Sequence, residues 1–154
     1  MENPVFDDGG WADQFKPQFL SVLRIVTALL FLQHGMTKIL AYPWSSASDP
    51  PMWTLLWVAG LIELIGSLLL LVGLFTRPVA LLLSGEMAIG YWMVHAPEGP
   101  FPMLNGGEAA VLFCFIFLYI VFAGPGPWSI DEMIRRKRIE AGPVGYYQAP
   151  PVDE

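Results

Sequence analysis

The sequence has a single cysteine, Cys114. It therefore cannot close an intramolecular disulfide or form a Cys-x-x-Cys redox pair. Charge is scarce too. Only 14% of residues are charged, against about 25% in a soluble domain. Acidic residues outnumber basic ones, with 14 Asp and Glu against 8 Lys and Arg and a net charge of −6. That balance argues against nucleic acid as a partner. No Gly-x-Gly-x-x-Gly fingerprint, P-loop or Cys/His zinc pattern occurs. The N-terminal residues are acidic where a signal peptide begins basic, so the first apolar stretch is expected to stay as an anchor.

What the chain does have is long apolar runs. Hydrophobic residues make up 55% of its 154 residues, and the mean hydropathy is +0.51. These values point to an all-α integral membrane protein, a four-transmembrane-helix bundle. A span needs about 20 apolar residues. The first is expected over 17–41, with Pro17 in its first turn. The second runs over 52–75, the third over 78–95 with Thr76 as a candidate N-cap, and the fourth from Asn105 to about Ala123. Asn105 is the expected cap of that last helix, with Glu108 at its third position. Residues 1–16 read as a polar tail, 17–124 as the membrane domain, 125–140 as a basic helix lying on the membrane surface, and 141–154 as a disordered tail. Ser129 and Glu132 form a capping-box pattern for the basic helix.

Lys16, Arg77 and the Arg135–Arg138 cluster fall on one side of such a bundle. The loops 43–51 and 96–104 contain no Lys or Arg. The positive-inside rule then places both termini in the cytoplasm of a bacterial inner-membrane protein.

Within the spans the few charges stand out. A charged group at bilayer depth costs roughly 2.5–3.5 kcal/mol on insertion scales. Arg24, His34 and Lys38 share an arc of roughly 80° on the first span at about 100° per residue. Counted at about 1.5 Å per residue, Arg24 lies roughly 10 Å deep, Glu86 about 15 Å, Glu63 about 20 Å, His34 about 25 Å and His95 about 28 Å. Lys38 and Glu108 fall near the outer boundary. The expected partners are Glu86 for Arg24, Glu63 for His34, and Glu108 or His95 for Lys38. Arg24 and Lys38 can alternatively snorkel to head groups. His34 can be a neutral histidine satisfied by a carbonyl, His95 a solvated one at the interface, and Glu108 a helix cap. Gly60, Gly66 and Ser67 share the face of Glu63 and should admit a close neighbouring helix. Cys114 reads as packing.

An apolar bundle with protonatable groups near one face suits a lipid-soluble quinone. Its carbonyls need donors such as His34 or Lys38, and its redox chemistry needs proton carriers such as Glu63, Glu86 or His95. Arg24, His34, His95 and Glu108 are the candidate cofactor contacts. His34 and His95 as a haem or metal pair are a weaker alternative.

The chain resembles the DoxX family. The resemblance lies in Arg24…His34-Gly35-x-x-Lys38, Glu63-Leu64-Ile65-Gly66, Gly73-Leu74-Phe75-Thr76-Arg77-Pro78, Gly85-Glu86-Met87-Ala88, His95-Ala96-Pro97 and Asn105-Gly106-Gly107-Glu108, and covers about Leu20 to Trp128. It departs at Ser67, where a second glycine would be expected after Gly66. The resemblance implies a small four-helix inner-membrane protein, a quinone-linked redox component or an accessory subunit of a membrane oxidoreductase complex. Some relatives are associated with terminal quinol oxidase or thiosulfate:quinone oxidoreductase, others with redox stress. A membrane or peripheral redox partner subunit and a homo-oligomer are both compatible with it. The alternative is a non-enzymatic scaffold, or a proton or small-solute carrier, whose buried charges are structural.

Overall fold

The computed structural model describes residues 10–141. The tail expected at 141–154, apart from its first residue, and the first nine residues lie outside them. Among the described residues the regular structure is helical, with no strands. A 3₁₀ turn at Asp13–Phe15 leads into α1, Lys16–Leu40. Next come α2, Leu55–Val72, and α3, Thr76–Gly90. The third helix continues as a π-type turn, Tyr91–His95, and a 3₁₀ turn, Ala96–Glu98. A single turn, α4 at Pro102–Asn105, precedes α5, Glu108–Ala123, and α6, Ile130–Glu140.

Three helical stretches, Asp13–Leu40, Leu55–Val72 and Thr76–Glu98, are long and apolar enough to cross a membrane. The apolar α5 is shorter, at 16 residues or about 24 Å. Residues such as Val26, Leu30, Ile65, Leu68 and Leu82 lie exposed on the outer faces. That outward apolar surface suits a bilayer, where lipid rather than water meets the helix.

The bundle is built from two helical pairs. α1 packs along α2, α3 packs along α5, and the pairs meet chiefly through α2 and α3. Small residues set the approach. A Cβ on Gly35 would collide with the backbone of Leu64, so α1 and α2 touch closely there. One on Gly60 would meet Lys38 and Ile39, and one on Gly66 would meet Leu83 of α3. The expected small-residue face of α2 is therefore a contact face on both sides. Without a hydrophobic drive between helices in lipid, such close van der Waals packing supplies much of the association. The core joins Ala28, Phe31, Leu70, Ala80, Leu83, Phe117 and Ile120. Phe31 lies 4.9 Å from Phe117 and 5.0 Å from Phe113, ring centre to ring centre.

Three helix starts differ from expectation. Thr76 is the first helical residue of α3, not its cap. The Asp131 carboxylate instead accepts hydrogen bonds from the amides of Phe75 (3.0 Å) and Thr76 (2.8 Å). Asn105 does not cap the following helix. It ends α4, donates to the Gly99 carbonyl at 2.8 Å and accepts from Gly107 N–H at 2.8 Å. Gly107 precedes α5, so Glu108 is its first residue rather than its third. At α6, Ser129 accepts from Glu132 N–H at 3.2 Å as expected. The Glu132 carboxylate, however, turns to Arg135 and Arg136 instead of reaching back.

Candidate functional site

The polar residues of the spans separate into two groups at the two ends of α1. Ser21, Arg24, Thr27, Ala28, Phe31 and Gly35 form its buried stripe. Arg24 is 0% exposed, the largest fully buried side chain. Its planar guanidinium presents five donors in a fixed fork. Nε donates to Pro125 O at 2.9 Å, and Nη2 donates to Trp128 O at 2.6 Å. Nη1 donates to Leu70 O and to Leu71 O, the latter at 3.0 Å. The last carbonyls of a helix lack intrahelical donors. At the end of α2, Gly73 N–H reaches Leu70 O at 3.1 Å and Leu74 N–H reaches Leu69 O at 2.9 Å, and Arg24 adds donors to Leu70 O and Leu71 O. Gly73, at φ +70°, makes the turn possible, and a Cβ there would strike Ser129 and the Arg24 guanidinium. Trp128 N–H donates to Ser21 Oγ at 3.2 Å, and Asp131 N–H donates to Gly73 O at 2.9 Å. The expected pairing of Arg24 with Glu86 is thus replaced by backbone carbonyls, with Asp131 the acidic group whose field reaches it.

The second group gathers His34, Lys38, Glu63 and Glu86. Lys38 Nζ donates to Glu63 Oε1 at 2.5 Å, and the side chains are 15% and 2% exposed. Lys38 therefore pairs with Glu63, and not with Glu108 or His95. Glu63 Oε2 and both carboxyl oxygens of Glu86 are buried without a hydrogen-bond partner among the described residues. The charges of Glu63 and Lys38 both reach Glu86, and both reach His34. His34 does not pair directly with Glu63. Its ring lies 5.8 Å from those of Phe31 and Phe113. It stands beside the buried stripe of α1 and opens outward.

His34 and Lys38 line an open groove of about 490 Å³ together with Gln33, Thr37, Trp44 and Phe113. Of these, Trp44 and Phe113 are not legible as site residues in the sequence. Trp44 lies in the loop after α1 and Phe113 in α5, and only the fold sets them against His34 and Lys38. The groove has apolar walls and a few polar groups, as small-molecule sites do.

His95 and Glu108 stand apart from this group. His95 Nδ1 makes a 3.1 Å hydrogen bond with Asn105 O, and its ring stacks on Tyr91 at 6.3 Å. Glu108 is exposed at the start of α5. Among the described residues no three His, Cys, Asp or Glu side chains gather as a metal site. Cys114 sits in the α3–α5 contact, where Ser84 Oγ donates to its carbonyl at 2.9 Å.

Comparison with known proteins gives this arrangement a family. The DoxX family model matches residues 19–96. An uncharacterised protein of Haemophilus influenzae is 44% identical over 134 residues, covering 81% of this chain and 97% of its own length. Inner membrane protein YphA of Escherichia coli is 31% identical over 130 residues, 76% of this chain and 91% of its own. Inner membrane protein YqjF of the same organism is 30% identical over 122 residues, 75% and 92%. No solved structure matches significantly. On the family match and on the similarity along most of its length, the chain belongs to the DoxX family of membrane proteins.

Proposed function

We propose that this protein is a quinone-linked redox component or accessory subunit of an inner-membrane oxidoreductase complex. The observation that carries the proposal is the groove beside His34 and Lys38, backed by buried carboxyl oxygens with no partner among the described residues. In this reading α5 crosses the bilayer beside α3 as a fourth span. Both termini face the cytoplasm, because Lys16, Arg77 and Arg135–Arg138 gather at one end. The groove then opens toward the outer face.

A bound quinone would supply two-electron chemistry coupled to protons, with the electrons arriving from a partner subunit. This chain's residues do the rest. Lys38 and the imidazole of His34 offer donors at the groove wall. Phe113 and Trp44 hold a flat ring by apolar contact. Glu63, through its free Oε2, and Glu86, within reach of the Glu63 charge, can take or release a proton without first breaking a hydrogen bond. The test is to purify the protein in mild detergent, extract its lipids and titrate a ubiquinone analogue. Quinone in the extract and quenching of Trp fluorescence are expected, and Trp44→Phe should remove much of the quenching. No co-purified quinone together with unchanged fluorescence would sink the reading.

The 2.5 Å Lys38–Glu63 pair favours a second reading, in which the charges only bind α1 to α2 in a scaffold or carrier. The double variant Lys38→Met/Glu63→Leu separates the two. It should fold in both cases. Under the redox reading it loses a quinone response that the unaltered protein shows. Under the scaffold reading neither protein responds.

A further inference from the structure

A second, wider groove lies at the Arg24 end of the bundle, and the quinone chemistry does not use it. It encloses about 920 Å³ between the starts of α1 and α3, the end of α5, and α6. One wall is apolar, with Leu20, Phe75 and Tyr119. Phe75 is 62% exposed and Tyr119 56%, so this wall continues the outward apolar faces of the helices. The rim is charged. Lys16, paired with Asp13, and Arg77, Arg135 and Arg136 border it, along with Asp131 and Glu132.

Both acids are already engaged. The two Asp131 oxygens accept the amides of Phe75 and Thr76. The Glu132 oxygens are held by Arg135 (2.7 Å twice) and Arg136 (2.9 Å). One carboxylate against two guanidinium groups leaves a positive balance. Arg77 donates through Nη1 to the Val121 and Phe122 carbonyls, at 2.5 and 3.1 Å, which closes α5. Its Nε and Nη2 make no hydrogen bond among the described residues, and its side chain is exposed. A cationic rim above an apolar, lipid-facing wall at the level where the helices end matches one kind of molecule. It must carry a phosphate and an apolar tail at once.

We propose that this groove binds an anionic phospholipid, with its phosphate on Arg77, Arg135 and Arg136 and its acyl chains along Leu20, Phe75 and Tyr119. Guanidinium groups suit phosphate because they donate in pairs. The bound lipid ties α6 to the bundle from the membrane side. This assignment is independent of the quinone reading.

The full chain in detergent is incubated with equimolar phosphatidylglycerol and phosphatidylcholine, and retained lipid is read by native mass spectrometry. Phosphatidylglycerol is expected to be retained about tenfold over phosphatidylcholine, because the rim is net positive and phosphatidylcholine carries its own compensating cation. Arg135→Gln/Arg136→Gln should abolish the preference, because Glu132 is then unopposed. Arg135→Lys/Arg136→Lys should keep most of it. Circular dichroism and elution volume check that each variant folds. If the glutamine variant does not fold, loss of the preference in high salt serves instead. Equal retention of both lipids, or a preference unchanged in the glutamine variant, overturns the proposal. So does inorganic phosphate alone matching the thermal stabilisation given by phosphatidylglycerol, which would make the site one for a soluble anion.

Discussion

Arg24 and the Lys38–Glu63 pair are both buried charges on one helix, about 21 Å apart by helical rise, yet their surroundings differ. Arg24 has four backbone acceptors and no exposure. Around Lys38, three carboxyl oxygens are buried with no partner among the described residues. Evolved interiors satisfy nearly all their buried polar groups. The Arg24 guanidinium thus behaves as a structural clasp joining α1, the α2–α3 turn and the start of α6, although Thr76 Oγ1 at that end is also buried without a partner among the described residues. The carboxyl oxygens around Lys38, unlike that guanidinium, keep free capacity to accept a hydrogen bond or a proton. Buried charge alone does not tell the two ends apart; the hydrogen bonding of the charged groups does.

Substitutions can break this contrast. The largest effect is expected from Arg24→Met, which strips donors from four carbonyls at once. A loss of about 4 kcal/mol or more is expected, read by unfolding in mixed SDS micelles. Arg24→Lys should rescue little, because a point charge cannot serve four divergent acceptors. If Arg24→Lys is fully stable, the clasp is not what holds this end. Lys38→Met should cost about 3 kcal/mol, since it leaves Glu63 buried without its cation. The double variant with Glu63→Leu should recover most of that loss. Asp131→Ala removes the cap of α3 and should cost about 1–2 kcal/mol, visible in the same unfolding assay.

Glu86→Met sharpens the contrast from the other side. It removes a carboxyl that bonds to nothing among the described residues, so stability should stay within about 1 kcal/mol of the parent or rise. The quinone response should nevertheless weaken. A large loss of stability would show that Glu86 is structural after all. The smallest effect concerns Glu132, outside the spans. Hydrogen bonds from Arg135 and Arg136 hold its carboxyl down to about 2, below the ordinary value of about 4.3. A lowered folded value stabilises above the unfolded value, and that contribution fades as pH falls from about 4.3 toward 2. Thermal melts at pH 5 and pH 3 should show a slightly steeper acid loss in the parent than in Glu132→Gln. High salt should reduce the difference, because the pair is exposed.

Much of the architecture is legible in the sequence. Apolar runs locate α1, α2 and α3 within a few residues, Pro17 marks the first turn of α1, and Ser129 marks the start of α6. Of the residues that read as candidate proton and quinone groups, Lys38 and Glu63 form an ion pair, and the charges of that pair act on both His34 and Glu86. The pairings are not legible. Depth alone matches Arg24 to Glu86, but depth carries no information about helix rotation or about backbone acceptors. The Asp131 cap is out of reach as well, because it bridges 55 residues of sequence.

By itself the sequence determined the environment and the helices. A 20-residue apolar run must satisfy its backbone internally in lipid, and a helix does so using only local hydrogen bonds. It also determined which side chains would be costly to bury. Only the tertiary structure decided their partners, since an arginine can be satisfied equally by a carboxylate or by a ring of carbonyls. Which acceptors come within about 3 Å depends on how Gly35, Gly60, Gly66 and Gly73 let the helices and turns close together.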